Sequence, residues 1–160
     1  MYISSIGQDS HRFETEDVSK PLILGAIKIP QSPGLSGNSD ADVVLHAITN
    51  AISGISGVNI LGKVSDDLCL KEGIKDSKVY LQKALQTLEN TIINHVSISI
   101  ECKKPKLSDH ISEMKKSVAQ LLSLPVSSVG ITATTGEGLT GFGKGEGIQA
   151  LVILSAQKCS

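Results

Sequence analysis

Residues 34–52 read Gly34-Leu35-Ser36-Gly37-Asn38-Ser39-Asp40-Ala41-Asp42-Val43-Val44-Leu45-His46-Ala47-Ile48-Thr49-Asn50-Ala51-Ile52. A glycine-containing loop ends in Asn38-Ser39-Asp40 and runs straight into an apolar stretch with helical spacing. Ser39 or Asp40 is placed to cap that helix, because either side-chain oxygen accepts from the first free backbone N–H groups. Val43, Val44, Ala47, Ile48, Ala51 and Ile52 supply its buried faces, and the pattern predicts a helix over about residues 41–53. His46 falls about one and a half turns in. Asp42 precedes it by four residues on the same face. An imidazole on so apolar a surface needs a polar partner. Two readings stay open: a core histidine bonded to Asp42 or Asn50, or a metal ligand whose companions lie elsewhere.

Asp9-Ser10-His11 can supply the companions. Residues 2–13 read as a strand, and alternate residues of a strand share a side. Asp9 and His11 then face together, with Ser10 opposite. A carboxylate and an imidazole from a strand, joined by an imidazole from a helix, make three ligands. Catalytic zinc uses three protein ligands and keeps a fourth position open.

The chain of 160 residues fits one domain, with enough length for a real core. Hydrophobic residues make up 40% and charged residues 19%, so burial can drive folding. The aromatics are Tyr2, Phe13, Tyr80 and Phe142, with no Trp. That is too few rings for a base-stacking platform, and a net charge of -1 gives no bias toward polyanions, so nucleic acid is not an expected partner. No apolar run reaches membrane-spanning length and no charged-then-apolar leader opens the chain, which predicts a cytosolic, bacterial setting without membrane contact. Cys69, Cys102 and Cys159 are odd in number and far apart, as free thiols in a reducing compartment would be.

Leu22 to Ile29 alternates around Gly25 and reads as a second strand or part of a hairpin. Residues 58–67 read as an irregular, partly acidic connection or a flap over a site. Asp76 caps a second helix with an apolar stripe at Val79, Tyr80, Ala84, Leu85 and Leu88. Residues 92–104 alternate clearly and form a strand, and Asp109 caps a third helix to about Leu122. Strands over 126–135 and 147–156 complete the set. This order predicts an α+β fold: a mixed sheet with helices packed on one face, a ferredoxin-like sandwich. The other sheet face, with its serines and Glu101, then needs cover from a partner subunit.

Residues 134–147 read Thr134-Thr135-Gly136-Glu137-Gly138-Leu139-Thr140-Gly141-Phe142-Gly143-Lys144-Gly145-Glu146-Gly147. The spacing mimics a P-loop as far as Lys144. Gly145 then stands where a hydroxyl should bind Mg²⁺, and a strand follows in place of a helix. What remains is Thr134 and Thr135 as hydroxyl donors to phosphate, with Glu137 as an oxygen ligand for Mg²⁺. The alternative is a glycine-rich hairpin at a sheet edge.

Five segments together resemble the 2-C-methyl-D-erythritol 2,4-cyclodiphosphate synthase family of non-mevalonate isoprenoid synthesis. They are Gly7 to Phe13, Asn38 to Asp42 with His46, Pro105-Lys106-Leu107 with His110-Ile111, Thr134 to Glu137, and Gly143 to Gly147. The resemblance runs from Gly7 to Val152 and implies one synthase domain over residues 1–160. It implies a phosphorus–oxygen lyase: the substrate 2-phosphate attacks the β-phosphorus of a CDP group, CMP leaves, and a cyclic diphosphate forms. It also implies a homotrimer with its active sites between subunits, zinc on Asp9, His11 and His46, and Mg²⁺ or Mn²⁺ at Glu137.

By the same resemblance Asn38 and Thr135 take the catalytic positions, with Asn38 standing for a usual His. Ser39 and Thr135 match phosphate-orienting positions, and Asp9, Ser10 and His11 lie against substrate. Cys102, Lys103, Lys104, Pro105, Lys106 and Leu107, with Thr134 and Thr135, match the cytidine pocket. Gly136 and Glu137 continue that site. Leu61, Gly62, Asp66 and Asp67 match the flap over the methylerythritol end. Phe142 and Lys144 match the end of the glycine-rich stretch, Lys144 replacing an Arg that lines the trimer cavity. Asn50 replaces a usual Asp, so any support it gave His46 would be neutral.

Overall fold

The computed structural model describes residues 1–159. Four strands form the main sheet: β1 (Tyr2–Arg12), β4 (Thr91–Glu101), β5 (Val129–Thr134) and β6 (Gly147–Lys158). Their order is β1-β6-β4-β5. β6 runs antiparallel to both neighbours, and β4 pairs with β5 in parallel. A separate hairpin joins β2 (Pro21–Leu24) to β3 (Ile27–Pro33). The helices are α1 (Val43–Ser56), α2 (Lys63–Glu72), α3 (Ser77–Leu85), α4 (Ile111–Leu121) and the short α5 (Gly141–Lys144).

Strand alternation decides which face is core. Val96, Ile98 and Ile100 of β4 lie opposite Leu154, Val152 and Ala150 of β6, and all are buried. α1 packs over β1 and β6 on this face, and α4 sits against β5. Each large aliphatic side chain buried there contributes on the order of 1.5–3 kcal/mol. The opposite face carries Ile6, Leu151 and Ile153 exposed, beside Ser97 and Ser99.

The closest approach is at Gly7. A Cβ there would lie 2.0 Å from the Ala47 carbonyl oxygen and 2.5 Å from the Ala51 nitrogen. Only a missing side chain lets the helix backbone come so near the strand. Two polar ties hold the pair: Ser5 Oγ donates to the Ala51 carbonyl at 2.6 Å, and Asn50 Nδ2 donates to the Gln8 carbonyl at 2.9 Å.

Several expectations change. The sheet is mixed and helix-covered as predicted, but it is not ferredoxin-like. Its chain order is strand, helices, strand, helix, strand, strand, not the βαββαβ of that fold, and the last strand enters between β1 and β4. Of the two readings for Leu22 to Ile29, the hairpin holds and the single strand does not: a turn at Gly25-Ala26 separates two short strands. Lys63 onward is a helix, not an irregular flap; its first turn is closed by the Gly62 N–H donating to Ser65 Oγ at 3.1 Å. α4 starts at Ile111 after a 3₁₀ turn over Ser108–His110, with no side-chain cap from Asp109.

The cap of α1 also moves. Asp42, not Ser39 or Asp40, accepts from the N–H groups of Val44 and Leu45. Its carboxylate also accepts from Gly25 at 2.9 Å and Ala26 at 2.7 Å, locking the hairpin turn to the helix start. Asp42 is therefore fully used and is not the partner of His46. Asn50 is spent on Gln8 and is not that partner either.

Candidate metal centre and substrate clefts

β1 places Asp9 opposite Ala150 and His11 opposite Ile148, on the core-facing side at the strand end. Ser10 pairs with Gln149 on the other face, as the alternation requires. α1, pressed onto β1 at Gly7, delivers His46 to the same point. His46 Nδ1 lies 3.0 Å from Asp9 Oδ2, and His11 Nε2 lies 3.1 Å from that same oxygen. The three ligand atoms all fall within 4.8 Å of one another.

The outer nitrogens decide what the inner ones present. His11 Nδ1 sits 2.7 Å from the Ser36 carbonyl oxygen. A carbonyl only accepts, so Nδ1 carries the proton and Nε2 is left with its lone pair toward Asp9. His46 Nε2 faces Ser77 Oγ at 2.8 Å, and Ser77 in turn donates to Asp40 Oδ1. With its one proton given to a carboxylate, the hydroxyl can only accept from His46 Nε2–H. His46 Nδ1 then also turns a lone pair toward Asp9. Two imidazole lone pairs and a carboxylate oxygen converge on one small volume, an arrangement that repels itself unless a cation or added protons stand between them. The donor set, two nitrogens and one oxygen, suits a borderline ion such as Zn²⁺.

The same crowding governs the charges. When added protons rather than a cation fill that space, burial alone would raise the Asp9 carboxyl, but hydrogen bonds and charge from His11 and His46 outweigh it and hold it at about 2. Burial alone would lower His11, but its bond to Asp9 and the charge of Asp9 win and raise it.

A cleft of about 290 Å³ opens over the three ligands. Gly37, Asn38, Ser39, Leu61, Gly62, Asp66, Cys69 and Tyr80 line it together with the ligands. Cys69 Sγ donates to the Asn38 carbonyl at 3.2 Å, tying α2 to the loop. Asp67 does not line this cleft; it pairs with Lys71 at 2.8 Å on the outer side of α2.

A larger cleft of about 890 Å³ lies elsewhere on the chain. Cys102, Lys103, Lys104, Pro105, Lys106 and Leu107 form one wall, and Thr134 and Thr135 another. The Cys102 thiol donates to the Lys104 carbonyl at 3.0 Å, which shapes the turn, and burial pushes that thiol up to about 11. Phe142 and Ser10 line a third recess beside Arg12 and Glu146. Glu137 is exposed with a φ of 52°, Gly136 precedes it, and Lys144 is exposed. Within one chain, then, most of the expected site residues fall into two separate groups, the Asp9–His11–His46 cleft with Asn38, Ser39, Leu61, Gly62 and Asp66, and the Cys102–Leu107 cleft with Thr134 and Thr135, while Ser10 and Phe142 line the third recess.

Ser77, Asp40 as a partner of Ser77, Tyr80 and Cys69 are parts of the first group that the sequence reading did not assign. Tyr80 and Cys69 look like ordinary apolar-stripe positions. Ser77 follows a capping Asp, and nothing local points from it to a histidine 31 residues earlier.

A family model described as the YgbB family matches residues 2–157. The chain belongs to the YgbB family. Among its relatives, the 2-C-methyl-D-erythritol 2,4-cyclodiphosphate synthase of Chlamydia caviae is 48% identical over 162 aligned positions, covering 100% of this chain and 92% of that protein. The synthase of the same name from Chlamydia felis is 46% identical, covering 99% of this chain and 90% of that one. Solved structures agree on the fold of these YgbB relatives. A 2C-methyl-D-erythritol-2,4-cyclodiphosphate synthase in a CDP-bound form superposes with a TM-score of 0.85 at 28% identity, over 97% of this chain and 100% of that one. The bifunctional IspDF of Campylobacter jejuni gives 0.89 at 27% identity, over 100% of this chain and 43% of that chain. Among the described residues, no helix is long and apolar enough to cross a membrane.

Proposed function

We propose that this chain cyclises 4-CDP-2-C-methyl-D-erythritol 2-phosphate to 2-C-methyl-D-erythritol 2,4-cyclodiphosphate and releases CMP, a phosphorus–oxygen lyase step in isoprenoid precursor synthesis. One observation carries the reading: in a chain of this family, His11 Nε2 and His46 Nδ1 converge on one oxygen of Asp9. These residues would hold Zn²⁺ with a fourth position left for a phosphate oxygen, and Glu137 would hold Mg²⁺ or Mn²⁺. When bound, such cations neutralise phosphate charge and keep attacking and leaving oxygens in line.

The chain's own residues then have an orienting task. The attacking 2-phosphate is already ionised, so no side chain serves as nucleophile or base. Positioning two ends of one molecule is worth on the order of 7–11 kcal/mol, enough to be the main contribution. Asn38 and Thr135 take the catalytic positions as hydrogen-bond donors to phosphate, with Ser39 and Thr134 beside them. Asn38 donates without charge, so it stabilises less than an imidazolium would. Backbone groups of Cys102 to Leu107 would read the cytosine edge, and Lys106 can meet a phosphate. Leu61, Gly62 and Asp66 face the methylerythritol end, with Asp67 brought in only by movement of α2. Ser10, Gly136, Phe142 and Lys144 complete the contacts.

The two groups of residues occupy different clefts of one chain. Placing them around one substrate calls for a second copy, and the exposed apolar sheet face supports a homotrimer. Incubating purified protein with substrate, Zn²⁺ and Mg²⁺ tests the reading by phosphorus NMR and nucleotide chromatography. Equal amounts of CMP and cyclic diphosphate are expected. Uncyclised phosphates would indicate a hydrolase, and CDP binding without CMP release would indicate a binding protein.

A further inference from the structure

His46 is held from behind by residues outside the ligand set. We propose that Ser77 and Asp40 form a hydroxyl–carboxylate relay that fixes His46 as an Nδ1 ligand, a positioning role that rests on the metal reading above. The relay is built into the core. Ser77 is fully buried and His46 is 7% exposed. His46 Nε2 meets Ser77 Oγ at 2.8 Å, and the Ser77 hydroxyl donates to Asp40 Oδ1. The Ser77 backbone N–H donates to the other oxygen, Asp40 Oδ2, at 3.1 Å. Two bonds from one residue clamp the carboxylate, so its orientation is not free.

The chemistry runs in one direction. A carboxylate accepts, a serine hydroxyl has one proton, and that proton is committed to Asp40. Ser77 Oγ is therefore an acceptor toward the imidazole. His46 must be the Nε2–H tautomer, which leaves Nδ1 bare on the side of Asp9 and His11. Reversing any link would put a proton on Nδ1 and remove a ligand. A histidine that ligates a metal commonly hands its other N–H to such an oxygen, which fixes the ring and strengthens the donor; loss of such a partner weakens metal binding by about 10–100-fold.

Asp40 has a second duty. Its own N–H donates to the Lys75 carbonyl at 2.9 Å, and its Oδ1 accepts from the Asp42 N–H at 3.2 Å. It therefore ties the start of α1 to the start of α3, and replacing it disturbs the fold as well as the relay. Ser77→Ala is the cleaner variant, because the backbone bond to Asp40 survives.

Three measurements decide the matter. Chelator competition with Zn²⁺ on the metal-stripped chain should give an affinity about 10–100-fold lower for Ser77→Ala than for wild type. Thermal unfolding of the metal-free proteins tells a specific loss from a general one. Nitrogen-15 NMR of the imidazoles in zinc-loaded wild type, which needs no substitution, should show His46 bound through Nδ1 and protonated at Nε2; in Ser77→Ala the Nε2–H signal should move to that of an imidazole N–H without its acceptor. Unchanged zinc affinity in a folded Ser77→Ala protein overturns the relay, as does a His46 that binds zinc through Nε2 in wild type. Wild-type protein that takes up no zinc overturns the metal reading itself, and the relay's purpose with it.

Discussion

Asp42 shows how much one side chain can organise. Its carboxylate is fully buried and accepts four backbone N–H groups, from Gly25, Ala26, Val44 and Leu45. Two of these close the β2–β3 turn and two cap α1, so one residue joins two elements. Asp42→Ala leaves all four donors without a partner. A lost cap and buried unpaired donors together should cost about 2–4 kcal/mol, read from urea unfolding of the metal-free protein. Burial raises its pKa from the usual 3.8 to about 6, against the pull of N–H donors from Ala26, Leu45 and Gly25. A folded-state pKa above the unfolded one means that the folded chain binds the proton more tightly. The resulting stability is complete below about pH 4 and is lost as pH rises through about 6. The same titration on Asp42→Asn, which has no proton to lose, should lack this fall.

At the scale of elements, the metal cluster depends on how closely α1 lies on β1. Gly7→Ala adds a Cβ into the space held by the Ala47 carbonyl and the Ala51 nitrogen, both of them backbone. Backbone cannot rotate away, so the helix must lift. Overpacking of this kind costs roughly 1–3 kcal/mol, and more where neither side can yield. His46 rides on the lifted helix and Asp9 stays on the strand, so zinc affinity should fall together with stability. Lys28→Ala, exposed on β3, should change neither; equal effects from both would mean that helix contact does not set the ligand geometry. Much of this was legible in the chain. Period-two alternation put Asp9 and His11 on one side, and the helical period put His46 on a buried face. The outer partner of His46 was not legible, because Asp42 and Asn50 were nearer in sequence while Ser77, 31 residues on, is nearer in space. α2 was missed because its first turn is closed by a serine reaching back to Gly62, without the usual cap residue at its start. The strand order escaped too: β6 is last in the chain yet pairs between β1 and β4, and no local pattern encodes such a pairing.

For the whole molecule, the proposed function would join assembly to activity through the exposed sheet face. Ile6 and Ile153 are partners in register, 67% and 55% exposed, with Leu151 and Tyr2 on the same face. An apolar row of this kind, flanked by serines, marks a surface meant for contact. A carboxylate at its centre would have to be buried without a partner in any assembly that covers this face, a cost of several kcal/mol at each copy. On the proposed trimeric reading, wild type should sediment at three times the 16.8 kDa chain and Ile153→Asp as single chains. The Asp9–His11–His46 cluster lies within one chain, so the separated variant should still bind zinc. It should not release CMP, because the cleft of Cys102 to Leu107 with Thr134 and Thr135 would no longer stand across from the metal cluster of a neighbour. Zinc retained, turnover lost and mass reduced to one chain is the combination that a shared site demands. Full turnover by single chains would mean that one chain can close both clefts around the substrate, and the assembly would then have some other purpose.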